Sequence, residues 1–294
     1  MARGLAVVAG ATGYLGGHVV EALHAAGFRV RALARDPARL ARVRASCDEV
    51  FVGEATRPET LRGLFDGAAL AFSSVGIRHV KRHPTYLEVD RDANLGLVEA
   101  ARAAGVARFV FVSVLHGDEL RGELALADAR ETVVEALARS GMRALVLRPT
   151  GFFNDMAEFF EMARKGRVYL LGDGSPRINP IHAGDIADEV VRRLDAGEDE
   201  GAAPLGGPDV LTLREVGQLA FDVLRKPARF ASIPPWVVRA ASAAAKPFNK
   251  NAAALGIAFA SMATHDAVAP CVGHRHLRDF YAELARGARS AARA

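Results

Sequence analysis

Apolar positions in the first 150 residues follow two alternating rhythms. Short runs rich in β-branched and other hydrophobic side chains recur at LAVVA (5–9), FRVRALA (28–34), EVFV (49–52), LAFSSV (70–75), RFVFVSV (108–114) and RALVLRP (143–149). Between them lie stretches with an apolar residue at every third or fourth position: YLGGHVVEALHAAG, DPARLARVRA, RPETLRGLF, HPTYLEVDRDANLGLVEAARAAG and DELRGELALADARETVVEALARSG. The runs predict buried strands and the stretches between them amphipathic helices. Gly27, Gly105 and Gly141 follow the last periodic residue of three of these helices, where a left-handed residue ends a helix well. Alternation of this kind predicts an α/β fold: a Rossmann-type, doubly wound parallel sheet, covered by helices on both faces and joined by right-handed crossovers.

After Thr150 the rhythm changes. Pro, Gly and aromatic residues accumulate in PTGFFNDM, LLGDGSPRINPIHAGD, PLGGPDVLTLREV and ASIPPWVVRA. Helical patterns continue near 183–196, 212–225, 234–246, 250–263 and 275–287. The expectation is a first domain over 1–150 and a smaller, mostly helical lobe over 151–294, with part of 178–196 returning to the first domain.

Composition narrows the field. The chain has 294 residues, 50% hydrophobic and 24% charged, enough for one large core or two smaller ones. Only the Arg/Ala-rich tail after about Gly287 reads as disordered. The formal net charge is +4, and the Arg residues are spread along the chain among Asp and Glu. Without a clustered basic stripe, no nucleic-acid partner is expected. Cys47 and Cys271 stand far apart, outside any metal-knuckle spacing. They read as buried free thiols in a reducing compartment, and no metal is expected. The first strand begins by Leu5, which leaves no room for a signal peptide, and the apolar stretch at 254–263 is too short to cross a bilayer. A cytoplasmic protein without membrane insertion is expected, as a monomer or a homodimer.

Chemistry enters at LAVVAGATGYLGG (5–17). Gly10, Gly13 and Gly16 follow the first strand and open the first helix. Gly10 would take the tight turn, Gly13 would let the backbone approach a pyrophosphate, and Gly16 would let helix pack on strand. The helix then aims its free N–H groups and dipole at the phosphates. The first gap is one residue longer than in the G-x-G-x-x-G fingerprint. Gly10, Thr12, Gly13, Tyr14, Leu15 and Gly16 are the expected pyrophosphate surround. The second strand ends near Leu33–Ala34, with Arg35-Asp36-Pro37 next. Ala34 stands where an NAD site places a ribose-binding carboxylate, and Arg35, with Arg39 one turn beyond, suits a 2′-phosphate. The pattern favours NADP(H) over NAD(H). Two alternatives stay open: Asp36 displaced into the acidic role, and the two arginines as plain solvated charges.

As a set, these stretches resemble the extended and atypical short-chain dehydrogenase/reductases. GATGYLG resembles the family's first turn. FVGEATRPETL resembles the segment after its third strand, with Glu54 in a slot near the adenine. SSVG (Ser73, Ser74, Val75, Gly76) resembles the loop over the cofactor. VDRDANLGLVEAARAAGVARFVFVS resembles the fourth helix and fifth strand, and SGMRALVLRPTGFFNDM the sixth strand and the loop by the nicotinamide, here Pro149, Thr150, Gly151 and Phe152. The later segments GDG…INPIHAGDIADEV, LGGPDVLTLREVGQLAFDVL, ARFASIPPW and HLRDFYAEL resemble atypical members, divinyl chlorophyllide reductases among them.

The resemblance also implies a loss. Active members of the wider family carry Tyr-x-x-x-Lys on the helix before the sixth strand, and counting back places that pair at Leu126 and Arg130. No Tyr occurs between Tyr86 and Tyr169. Ser113 matches the family's serine, Asp90 fits the slot of its active-site Asn, and Arg130 is placed to hold ribose hydroxyls. The substitute proton donors are His116 first, at a strand's carboxyl end, then Asp118, Asp128, Tyr86 and His83. Catalysis is thus expected at Ser113, His116, Arg130 and Asp90.

Three readings follow. One is an NADPH-dependent reductase of a quinone, enone or other conjugated small molecule. Such a reaction needs no acid poised on a carbinol oxygen. Another is a redox sensor resembling nitrogen-metabolite-repressor-like proteins. A third is a structural subunit stabilised by its nucleotide. The apolar and aromatic second lobe favours the reductase with a small-molecule substrate. In PIHAGDIA (180–187), Asp185 is expected to cap a helix, with His182 just before it.

Overall fold

In the computed structural model, residues 3–77, 83–262 and 265–291 are described. The elements run in chain order β1 (Leu5–Ala9), α1 (Tyr14–Ala25), β2 (Arg29–Ala34), β3 (Glu49–Val52), β4 (Ala68–Ser73), α2 (Asn94–Ala103), β5 (Arg108–Val112), α3 (Ala125–Ala138) and β6 (Arg143–Pro149). There follow α4 (Phe153–Arg164), β7 (Val168–Leu171), β8 (Arg177–Ile178), α5 (Ala183–Ala196), β9 (Gly201–Leu205), β10 (Leu211–Thr212), α6 (Leu213–Leu224), β11 (Phe230–Ile233), α7 (Pro235–Ala245), α8 (Lys250–Met262) and α9 (Leu277–Ala291). They group into two compact units, Met1–Arg148 with Ile186–Ala203 and Pro149–Asp185 with Pro204–Ala294.

The first unit is built on a seven-stranded sheet ordered β3-β2-β1-β4-β5-β6-β9. β1 pairs in parallel with both β2 and β4, so the strand order reverses between β1 and β4. Ligands of open α/β sheets bind at such a switch point, outside the carboxyl ends of the strands. β1 is buried at every position, as a central parallel strand covered on both faces must be. One face carries Val7, Leu64, Leu97, Phe109, Phe111 and Val133 in a continuous core. Gly27, Gly105 and Gly141 have φ of +88°, +75° and +79°, the left-handed ends expected of them.

Several helical patterns resolve differently. Pro37–Ser46 and Pro58–Leu61 are 3₁₀ helices, each opening on its proline. Leu87–Ala93 forms π-type turns that run into α2. The long pattern before β6 becomes helical only from Ala125, because Gly122 at φ +79° breaks the chain just ahead of it. Of the 250–263 pattern, Ala263 lies outside the described residues.

The second unit is less purely helical than its sequence pattern. β10 pairs antiparallel with β8, and β11 pairs in parallel with β7. These strands are only two to four residues long, too short to show a period of two. α4 was not expected either, because FFNDM directly follows Pro and Gly. Its core joins Phe153, Phe160, Val216, Phe221 and Tyr281. The Tyr281 hydroxyl donates to the Met156 carbonyl at 2.7 Å, which satisfies the one polar atom that the ring carries inside. Both units thus have a core of their own.

Candidate functional site

The turn after β1 is shaped by what its glycines leave out. Gly10 has φ +90°, and a Cβ there would lie 2.7 Å from Ser74 Oγ. A Cβ on Gly16 would lie 2.1 Å from the Gly10 carbonyl oxygen, so α1 packs on the turn only because position 16 has no side chain. Gly13 is the residue before α1 and offers no side-chain cap, and the first turn carries no acidic residue. A helix start left in this condition attracts an anion. Thr12 and Tyr14 flank it, and Leu15 is buried beneath. The residues fit a dinucleotide pyrophosphate.

β2 ends at Ala34, which is buried. Just beyond it, Thr12, Arg35, Asp36, Arg39 and Glu54 line a cavity of about 330 Å³. Arg35 Nη1 stands 3.5 Å from Glu54 Oε1. Asp36 Oδ1 caps the following 3₁₀ helix by accepting from Ala38 N at 3.0 Å. The carboxylate expected of an NAD site is absent at Ala34, and the cations face the same cavity as the first turn's Thr12.

At the carboxyl ends of β4 and β5 the polar residues interlock. α3 places Arg130 and Glu131 next to each other, and they grip opposite sides of the end of β5. Arg130 donates to Asp90 Oδ1 through Nε at 3.1 Å and Nη2 at 2.8 Å, and to the Val112 carbonyl through Nη1 at 2.6 Å. Asp90 is fully buried and also accepts from Ile77 N at 3.0 Å. Burial pushes the Asp90 carboxyl up, against the opposing pull of Arg130. Gly76 leaves room for this pair: a Cβ there would lie 2.4 Å from Arg130 Nη2. Glu131 accepts from Ser113 Oγ at 2.7 Å and from both terminal nitrogens of Arg148 at 2.9 and 2.7 Å. Arg148 Nη1 also donates to the Val114 carbonyl at 3.1 Å.

Asn94, which sequence reasoning passed over, ties the other side together. It accepts from Ser73 Oγ at 2.6 Å and donates to the carbonyls of Val75, Val89 and Asp90. Asn94, Glu131 and Arg148 were missed because single polar residues in periodic patterns read as solvated faces. The available signal was spacing: Asn94 lies one turn beyond Asp90, and Glu131 adjoins Arg130.

The proposed substitute donors are dispersed. His116 has a left-handed backbone, φ +53°, which is strained for a residue with a Cβ. Its ring is exposed, and its Nδ1 lies 3.1 Å from Glu119 Oε1 in the loop between β5 and α3. Asp118 approaches Arg148 only to 3.8 Å. Asp128 accepts from Gly122 N at 2.9 Å and so fixes the turn ahead of α3. His83 is exposed beside Glu88. Tyr86 is buried, and burial, then the Asp90 charge, pushes its phenol up.

Pro149, Thr150, Gly151 and Phe152 belong to the second unit. Thr150 Oγ1 donates to the Asn179 carbonyl at 2.6 Å, and Ile181 N donates to the Gly151 carbonyl at 2.8 Å. Two expectations need correction here. His182, not Asp185, caps α5: its Nδ1 accepts from Gly184 N at 3.0 Å. Asp185 lies inside the first turn and instead accepts from the backbone N–H groups of His274 and Arg275. Cys271 is exposed, unlike the buried Cys47, because it lies in the irregular run before α9.

A family model described as NAD(P)H-binding matches residues 10–196. The chain belongs to this NAD(P)H-binding family, within the atypical short-chain dehydrogenase/reductases. Among relatives, the divinyl chlorophyllide a 8-vinyl-reductase of Oryza sativa subsp. indica is 32% identical over 80% of this chain and 62% of its own length. The ceramide reductase of Caulobacter vibrioides is 30% identical over 81% of this chain and 74% of its own. The chain thus spans less than two thirds of the rice protein. Among solved structures, an NADPH-dependent quinone oxidoreductase of Escherichia coli complexed with NADPH superposes with a TM-score of 0.75, at 22% identity, over 95% of this chain and 99% of that one. That likeness is one of fold. The family is one of NAD(P)H-dependent, reductase-like proteins.

Proposed function

We propose that this protein is an NADPH-dependent reductase of a quinone, an enone or another conjugated small molecule, and that it works without a Tyr-x-x-x-Lys pair. The observation that carries the reading is the end of β5. Charged anchors gather there around Ser113, and the described residues bring no phenol to it beyond the buried Tyr86. The names of the rice and Escherichia coli proteins, each acting on a conjugated acceptor, support this class.

The glycine turn and the start of α1 hold the pyrophosphate, and Glu54 borders the adenine. Arg35, with Arg39, takes the 2′-phosphate, which sets NADPH above NADH. Arg130 anchors the ribose while Asp90 keeps Arg130 in place, and Ser73–Gly76 border the groove. When bound, NADPH supplies hydride to the acceptor. The chain's residues manage the accompanying proton. Ser113 donates its hydroxyl hydrogen bond to Glu131, so it offers no donor to an acceptor carbonyl and serves to hold the end of β5 in place. Water or His116 then delivers the proton that, with the hydride, turns an enone's alkene into the saturated product or a quinone into the hydroquinone.

The same engagement of Ser113 favours a second reading, a dinucleotide-binding regulator. Anaerobic NADPH oxidation across quinones, enones and plain ketones tests the choice. The reductase turns over a quinone or an enone and leaves plain ketones untouched. Ketone turnover contradicts the absence of a carbinol acid. Tight NADPH binding without turnover moves the assignment to the regulator.

A further inference from the structure

The hairpin of α7 and α8 in the second unit exposes its bulkiest side chains. Each helix is the other's main neighbour. What they bury is small or polar: Ser242 on α7, and Asn251, Ala253, Ala260 and Ser261 on α8. A Cβ on Gly256 would lie 2.1 Å from Ser242 Oγ, so the helices touch through small residues. Val238, Leu255 and Ile257 are half-buried, while other large apolar side chains stand outward. Trp236 at the start of α7 is 70% exposed and Phe248 in the turn between the helices 75%, and Val237 and Phe259 are exposed as well. A surface helix of a globular protein normally does the reverse, and a cluster of exposed aromatics marks a contact surface.

Charge says which contact. Between Asp222 and Asp266 the sequence has no carboxylate at all, while Arg239, Lys246 and Lys250 lie on or beside the hairpin. All three are exposed and make no ion pair among the described residues. The whole chain carries a net charge of only +4, so this purely cationic stretch is a local feature. Exposed Trp and Phe interleaved with unpaired Lys and Arg match the interface of an anionic bilayer. There the rings enter the headgroup layer and the cations meet lipid phosphates. A protein partner would need its own apolar hollow and an acidic rim, whereas an anionic membrane supplies both properties over any area.

We propose that α7 and α8 form a docking surface for anionic phospholipid bilayers, lying on the membrane without crossing it. Neither helix is long and apolar enough to span one. Trp236 is the sole tryptophan of the chain, so its emission reports this surface alone. The test mixes the full-length protein with vesicles of phosphatidylcholine, with or without phosphatidylglycerol, and follows Trp236 emission and co-sedimentation. The proposal expects a blue shift and sedimentation with phosphatidylglycerol vesicles only, both weakened by salt. The Arg239→Gln/Lys246→Gln/Lys250→Gln variant, which alters only exposed side chains, should bind those vesicles about a hundredfold more weakly. Absence of binding to phosphatidylglycerol vesicles overturns the proposal, and so does equal, salt-insensitive binding to phosphatidylcholine. If light scattering shows a lipid-free dimer that Trp236→Ala dissociates, with no vesicle binding, the face is a protein interface instead.

Discussion

At the scale of single residues, the site depends on side chains that are missing and on ion pairs that are buried. Gly16→Ala would drive a methyl group into the Gly10 carbonyl, 2.1 Å away. It should abolish measurable NADPH binding by calorimetry while leaving a folded far-ultraviolet spectrum. Arg35→Ala should weaken NADPH far more than NADH in the same titration, and equal losses would remove the 2′-phosphate assignment. Glu131 is the common partner of Ser113 and Arg148. Removing one member of a buried ion pair leaves the other charge stranded. Glu131→Gln should therefore cost about 3 kcal/mol in urea denaturation. The glycine turn was legible in the sequence because a glycine's position after a strand is meaningful without the fold. Glu131 and Arg148 were not. Their partnership spans seventeen positions and exists only once β6 lies beside β5.

At the scale of elements, β1 to β6 fall within two residues of the sequence expectation, because buried parallel strands are runs that need no partner to recognise. β4 is displaced most, ending at Ser73 rather than Val75. The reason is Asn94, which holds the Ser73 hydroxyl and the Val75 carbonyl and bends the chain away. The second unit was less readable, since its strands are short and its helices rely on caps. α6 opens with a reciprocal capping box: Thr212 Oγ1 accepts from Glu215 N, and Glu215 accepts from Thr212 N. Thr212→Ala should lower stability by about 1 kcal/mol at neutral pH. The Thr212 backbone N–H, and then its hydroxyl, hold the Glu215 carboxyl below the usual range. A depressed carboxyl stabilises the fold above its unfolded pKa and loses that contribution as pH falls through its folded one. The stability gap between the protein and Glu215→Gln should therefore close in acid, as urea midpoints measured from neutral pH to below the ordinary carboxylate range would show.

At the scale of the whole molecule, the first unit carries a glycine turn and, next to it, a cavity where Arg35 and Arg39 stand among Asp36 and Glu54. The central proposal is that NADPH bound here passes hydride to a conjugated acceptor. The most direct measurement is a single turnover: the anaerobic protein–NADPH complex is mixed with a soluble quinone or enone, and the reduced nicotinamide is followed by its absorbance. The account predicts stoichiometric oxidation of the bound NADPH, much faster than in protein-free solution, with NADH bound and oxidised less well. A complex that forms yet keeps its NADPH reduced in the presence of every acceptor would contradict it.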